Sequence, residues 1–322
     1  MYKEIKYHRR VVLLAAVLLF PGFSLQGETL RVGYNNWVGF IGYFVAQEAG
    51  YFEDAGLTVE GSEFASPGEG LIPLINGDLD LHLTTMDSVV QRMERAQDSL
   101  EIIYFHDAST GADALIGGPD VESLKDLKGK TVGVTIGECN HLLLLKALRS
   151  VGLTYDDISA RNLDPDAAGS ALKAGAVQAA VTWEPWISQV VGEDDGTVLY
   201  STEDAPKLIV DVLASNPSVA AEKEEAIEAF VAAVAKGNAL AIENPAKASE
   251  IIADRLSLKG SQIQEMLEGL ELHDLEENRA LLNGGAMEPA EGLASFFVEQ
   301  GIIRDVPNLE NLFSDRFLPR AE

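Results

Sequence analysis

The residues best suited to chemistry are Trp37, Ser88, Asp107, Gly137, Glu138, Cys139, Asn140, Trp183, Glu184 and Asp211. All but Asp211 fall just past the end of a short apolar run, and Asp211 interrupts one. Their types suit holding a molecule better than breaking a bond. Asp107, Glu184 and Asp211 are acceptors for an ammonium or another donor. Trp37, Trp183 or Trp186 can stack on an apolar body or face a cationic nitrogen. Gly137–Asn140 is a bend that opens a leucine-rich helix, whose first free N–H groups suit an anionic head group. A carboxylate inside an apolar strand, as at Asp211, needs a partner, either a ligand or a hinge contact. Asp113, inside a "GADA" turn, reads as structural.

Catalytic patterns are weak. Cys139 near a helix start, with His141 two residues on, suggests an activated thiol. Residues two apart on a helix do not face each other, so the imidazole is badly placed as its base. The histidines at 8, 82, 106, 141 and 273 show no metal-ligand spacing, and neither CxxC nor HExxH occurs. "GKT" at 129–131 resembles the end of a phosphate loop, but Leu124 stands where that loop needs its first glycine. No metal, nucleotide or other cofactor is expected.

These residues are carried by short buried strands alternating with helices. Strand patterns fall at "LRVGY", "LDLHLTT", "LEIIYFHD", "KTVGV" and "VQAAVTW", with helical segments between them. Such alternation predicts parallel sheets with crossover helices, and ligands of open α/β sheets sit beyond the strand carboxyl ends. From about residue 220 the spacing of apolar residues is helical. "KLIVDVLAS", residues 207–215, reads as a strand that returns the chain from one lobe to the other. At 322 residues, two lobes are expected.

The first 27 residues read as an export signal: Lys3, Lys6, Arg9 and Arg10, then an apolar run over 11–20, then breakers and small residues. That run is half of the ~20 residues a spanning helix needs. The net charge of −27 becomes more negative once this basic segment is removed, which disfavours nucleic acid and anionic membranes as partners. Cys139 is the single cysteine, so the chain can form no internal disulfide and offers no lipid-attachment cysteine near the signal. An exported, non-lipidated protein of the periplasm fits these features.

Five segments in order, "YNNWVGFIGYFVAQEAGYFEDAGLTVE", "NGDLDLHLTTMDSVV", "DASTGADALIG", "DLKGKTVGV" and "AAVTWEPW", resemble the periplasmic substrate-binding proteins of the nitrate, sulfonate and taurine ABC-importer family. The resemblance runs from Leu30 to about Asp211. It implies an α/β fold of the type II periplasmic-binding kind, two-lobed, with a helical C-terminal tail on lobe 1. The expected division is 28–112 for the first part of lobe 1, 113–211 for lobe 2, and 212–322 completing lobe 1. It further implies a small-molecule ligand held between the lobes by Trp37, Ser88, Asp107, Gly137–Asn140, Glu184 and Asp211. A membrane permease with its ATPase would be the partner, and the receptor a monomer. No arginine sits at these strand ends, which favours a zwitterionic, cationic or neutral ligand over a bare anion. An enzyme on the same fold, of the pyrimidine-synthesising or menaquinone-pathway type, is the second reading, and a ligand-sensing partner of a membrane receptor the third.

Overall fold

The computed structural model describes residues 28–96, 98–191 and 196–320, so the expected export signal lies outside the described residues. Among the described residues, eleven strands are arranged in two sheets. They are β1 Glu28–Tyr34, β2 Leu57–Glu63, β3 Leu81–Thr85, β4 Glu101–Ser109, β5 Asp113–Gly117, β6 Thr131–Val134, β7 Ser159–Asn162, β8 Ala179–Trp183, β9 Thr197–Ser201, β10 Val210–Ser215 and β11 Leu270–Leu272. The first sheet has the order β11-β4-β10-β3-β1-β2 and the second β7-β6-β8-β5-β9. Strands β3, β4 and β10 are buried throughout, so His82, Asp107 and Asp211 lie inside the molecule rather than on a solvent face.

The first sheet is covered by α1 Ile41–Glu48, α2 Tyr51–Asp54, α3 Leu71–Ile75 and α4 Met86–Ala96, and the second by α5 Cys139–Ser150, α6 Pro165–Lys173 and α7 Trp186–Val191. After β10 the chain is mainly helical, with β11 between the fourth and fifth of these helices: α8 Pro217–Glu222, α9 Glu224–Glu243, α10 Pro245–Leu256, α11 Gly260–Leu267, α12 Leu275–Ala280 and α13 Met287–Glu299. This tail is tied to the first sheet by two buried amides. Asn278 exchanges hydrogen bonds with both backbone groups of Phe105 on β4, and Asn238 Nδ2 donates to the carbonyls of His106 and His273. Amide side chains can satisfy donor and acceptor at once, so they seal a strand edge that apolar packing would leave unpaired.

The sheets are mixed, not parallel. In the first, β1 runs parallel to β2 and β3, whereas β10 is antiparallel to β3 and β4, and β11 to β4. In the second, β6 is parallel to β7 and β8, and β5 is antiparallel to β8 and β9. The physical reason is the crossing between sheets. A chain that leaves one sheet and re-enters the other arrives from the opposite end, and helix-strand alternation does not encode that direction. Two chain segments make the crossing, 109–113 and 201–210. They are stitched together where Thr202 Oγ1 meets Ser109 Oγ at 2.7 Å and accepts from the Gly111 amide.

Candidate functional site

The first sheet contributes one row of polar side chains. Asp211, in the middle strand β10, lies opposite Thr85 of β3 and Asp107 of β4. Residues directly opposite across antiparallel strands project from the same face, so the two carboxylates stand side by side. Both are buried. Asp107, expected beyond the strand, is inside it, because β4 continues to Ser109. Trp37 follows β1 and leads into a 3₁₀ turn, and its indole Nε1 donates to Asp107 Oδ2 at 3.4 Å. The next turn residue must be glycine: a Cβ on Gly39 would lie 2.2 Å from Asp107 Oδ2 and 2.3 Å from Trp37 Nε1.

The second sheet answers with a shorter row, in which Asp113 of β5 lies opposite Trp183 of β8. The Trp183 ring meets that of Trp37 edge-on across the gap, with centroids 6.2 Å apart and planes at 71°. Beside this contact the bend before α5 is fastened to the first sheet. Glu138, at the helix start, accepts from the Gly68 amide at 2.8 Å, Ser88 Oγ at 3.2 Å and Ser66 Oγ at 3.4 Å. Ser88 Oγ accepts in turn from Thr85 Oγ1, and Gln91 Nε2 donates to the Gly137 carbonyl at 3.0 Å. Gly137 adopts φ +87°, a left-handed turn that glycine enters without strain.

Between the rows is a small cavity of ≈ 10 Å³ lined by Asn35, Trp37, Pro67, Thr85, Asp113, Cys139, Trp183, Ile209 and Asp211. Among the described residues, no lysine or arginine lines it. Three wall side chains keep a buried oxygen without a hydrogen-bond partner, namely Asn35 Oδ1, Asp113 Oδ2 and Asp211 Oδ2. Asp107 Oδ1 and both oxygens of Asp87 are likewise unpartnered. Burial raises these carboxyls far above the usual range. Asp107 is pushed up to about 8, by burial and then by Asp113, against the indole hydrogen bond of Trp37. Asp113 rises to about 7 and Asp87 to about 6, chiefly by burial. Asp211 is raised well above the ordinary value by burial, then by Asp107, Asp113 and Asp87. Glu138 is pushed up to about 7 by burial and the nearby Asp87.

The helix start expected to suit an anion is therefore occupied by carboxylates. Glu138 and Asp87 both bear on it, and a second anion there would meet like charge. Cys139 is buried, and burial together with Asp87, Asp113, Glu138 and Asp211 pushes its thiol well above the ordinary value. A thiolate nucleophile is disfavoured there. Its sulfur lies 3.8 Å from Asn140 Oδ1, while His141 Nδ1 accepts from the Gly137 amide instead.

Trp37, Cys139, Trp183 and Asp211 line the cavity directly, and Asp107 stands behind Trp37. Ser88, Gly137 and Glu138 form the bridge between the sheets. Asn140 is buried and keeps an unpartnered Nδ2 without lining the cavity. Glu184 turns away from it, accepting from the amide and hydroxyl of Ser188 on α7 at 3.1 and 2.8 Å. Trp186 lines an open outer groove together with Trp183, which faces both spaces. Sequence reasoning set Asp113 aside, left out Asn35 and Thr85, and noted Asp87 past a strand end without carrying it into the site. Their signal was position: Asn35 and Asp87 adjoin strand ends, and Asp113 opens a strand that pairs with the one ending in Trp183.

Comparisons with known proteins agree with this geometry. The chain is 26% identical over 308 residues to the taurine-binding periplasmic protein of Escherichia coli K12, covering 92% of this chain and 94% of that one. The alkanesulfonate-binding protein SsuA from Xanthomonas axonopodis pv. citri, solved bound to MOPS, superposes with a TM-score of 0.73 at 19% identity, over 92% of this chain and 99% of that chain. The periplasmic aliphatic sulphonate binding protein SsuA from Escherichia coli gives 0.71 at 21% identity, over 90% and 99%. These likenesses show the expected two-sheet periplasmic-binding fold. The NMT1/THI5-like family matches residues 37–248, more than half of the sequence, and the chain belongs to that family.

Proposed function

We propose that the chain is the solute-binding receptor of an ABC importer. It captures one small organic solute between the sheets, sulfonate- or taurine-like or amine-bearing, and presents it to a membrane permease. The observation that carries this reading is the small cavity walled from both sheets, whose lining holds buried oxygens without a hydrogen-bond partner among the described residues. Buried polar groups are normally paired, so unpaired ones converging on one space mark a missing partner. Relatives named as taurine- and sulphonate-binding proteins support a binding role over an enzymatic one, as does the buried, carboxylate-ringed thiol of Cys139. The parts 28–112 and 212–322 would form one lobe and 113–211 the other. They would open about the two crossing segments and close through Glu138.

Native mass spectrometry of the chain recovered from its export compartment tests this reading. One small molecule per chain, released unchanged on denaturation, is the expected result. Chemical conversion of that molecule on incubation with the protein would favour an enzyme.

A further inference from the structure

Building on the receptor reading, we infer that the ligand is a compact organic cation rich in N–H donors, a primary amine or guanidine, rather than a sulfonate or nitrate. The cavity wall fixes the sign of the charge. Its unpartnered side-chain atoms, Asn35 Oδ1, Asp113 Oδ2 and Asp211 Oδ2, are all acceptors, and each residue is at least nine-tenths buried. An anion would add an acceptor beside three acceptors that already lack a partner, and among the described residues no lysine or arginine lines the wall to meet it. A cation with several N–H groups supplies what is missing, because one ammonium or guanidinium can donate to more than one carboxylate at once.

The aromatic wall is consistent with the same charge. Trp37 and Trp183 meet edge-on, so each leaves part of an electron-rich face for a cation in the same space. The space itself is ≈ 10 Å³, about what one water needs, so the sheets must part to admit the ligand. A quaternary ammonium satisfies the charge but donates no hydrogen bond, and it leaves the acceptors unpaired. Donor count separates it from a primary amine.

The test is the thermal midpoint of the mature chain with methylguanidine, ethanolamine, choline, taurine, methanesulfonate or nitrate, in wild type and in Asp211→Asn. The inference predicts a rise of several degrees with methylguanidine or ethanolamine and less with choline. It also predicts affinity at least about thirtyfold weaker in Asp211→Asn, the loss expected when one partner of a buried charge pair is truncated. Asp211→Asn is isosteric, and its own unliganded midpoint reports whether it folds. A rise with methanesulfonate, taurine or nitrate but not with the amines overturns the cation assignment and leaves the receptor reading intact. Choline shifting the midpoint most overturns the N–H requirement. Silence across the whole panel, together with no co-purified molecule, overturns both.

Discussion

Two groups of buried aspartates sit on the same sheet and have opposite surroundings. Asp80, just before β3, is fully buried and surrounded by donors. Arg31 gives it its backbone amide at 2.8 Å and its guanidinium at 2.7 Å, and Lys223 Nζ adds a contact at 2.9 Å. Burial opposes ionisation of Asp80, but these hydrogen bonds outweigh it and hold the carboxyl below its ordinary value. A strand's length away, Asp107 and Asp211 share a register position with no cation, and both are raised. A carboxylate that serves the fold comes with its own cation. One that stays unpaired costs stability and persists where it meets something from outside.

The comparison can be broken first at Asp80. Asp80→Asn would leave Arg31 and Lys223 without their partner. A fully buried pair loses about 3–5 kcal/mol on such a change. The Arg31 side chain is 40% exposed, so a loss of about 2 kcal/mol in denaturant unfolding is the expectation after solvent screening. Gly39→Ala attacks the other group, since the new methyl would displace Asp107 or Trp37. It should weaken ligand binding about tenfold, or about 1.4 kcal/mol, measured by titration calorimetry.

A pH series separates the two groups without mutation. Raised carboxyls hold protons in the folded state that the unfolded chain has already lost. Their favourable contribution is complete below about pH 4, the ordinary carboxylate value, and declines as pH rises through folded values of about 6, 7 and 8. Asp80 has the opposite sign, and its contribution is lost only as pH falls through its depressed value. Unliganded stability should therefore fall between pH 5 and 8 as followed by thermal melts, and Asp107→Asn should flatten the slope. The smallest effects belong to the bridge. Glu138→Gln keeps its acceptor for Gly68 and should weaken ligand binding by about 1 kcal/mol, the scale of one hydrogen bond. Glu184→Ala, whose carboxylate serves Ser188, should change affinity less than Glu138→Gln does in the same titration.

Much of this was legible in the sequence. Alternation marked β3, short apolar runs marked β4, β6 and β8, and the polar residues at their ends pointed to the cleft. Strand direction was not legible, because it depends on where the chain re-enters a sheet. Asp113 was misread because "GADA" is a turn by local chemistry, and only pairing with β8 brings its carboxylate beside Trp183. Glu184 shows the converse. It adjoins a strand end, yet Ser188 four residues on takes its carboxylate by a local hydrogen bond that no apolar pattern reports.

The measurement that bears most directly on this account is the unfolding free energy of Asp211→Asn against wild type, without ligand, at pH 8. If Asp211 is held unpaired for a cation, its buried carboxyl at pH 8 must either keep a proton that the unfolded chain has lost or carry an unpaired charge. A neutral amide removes that cost and should stabilise the empty protein by about 1 kcal/mol or more, the worth of one unit of carboxyl shift. A loss of stability comparable to that of Asp80→Asn would mean that Asp211 already has its partner within the fold, and would contradict the account.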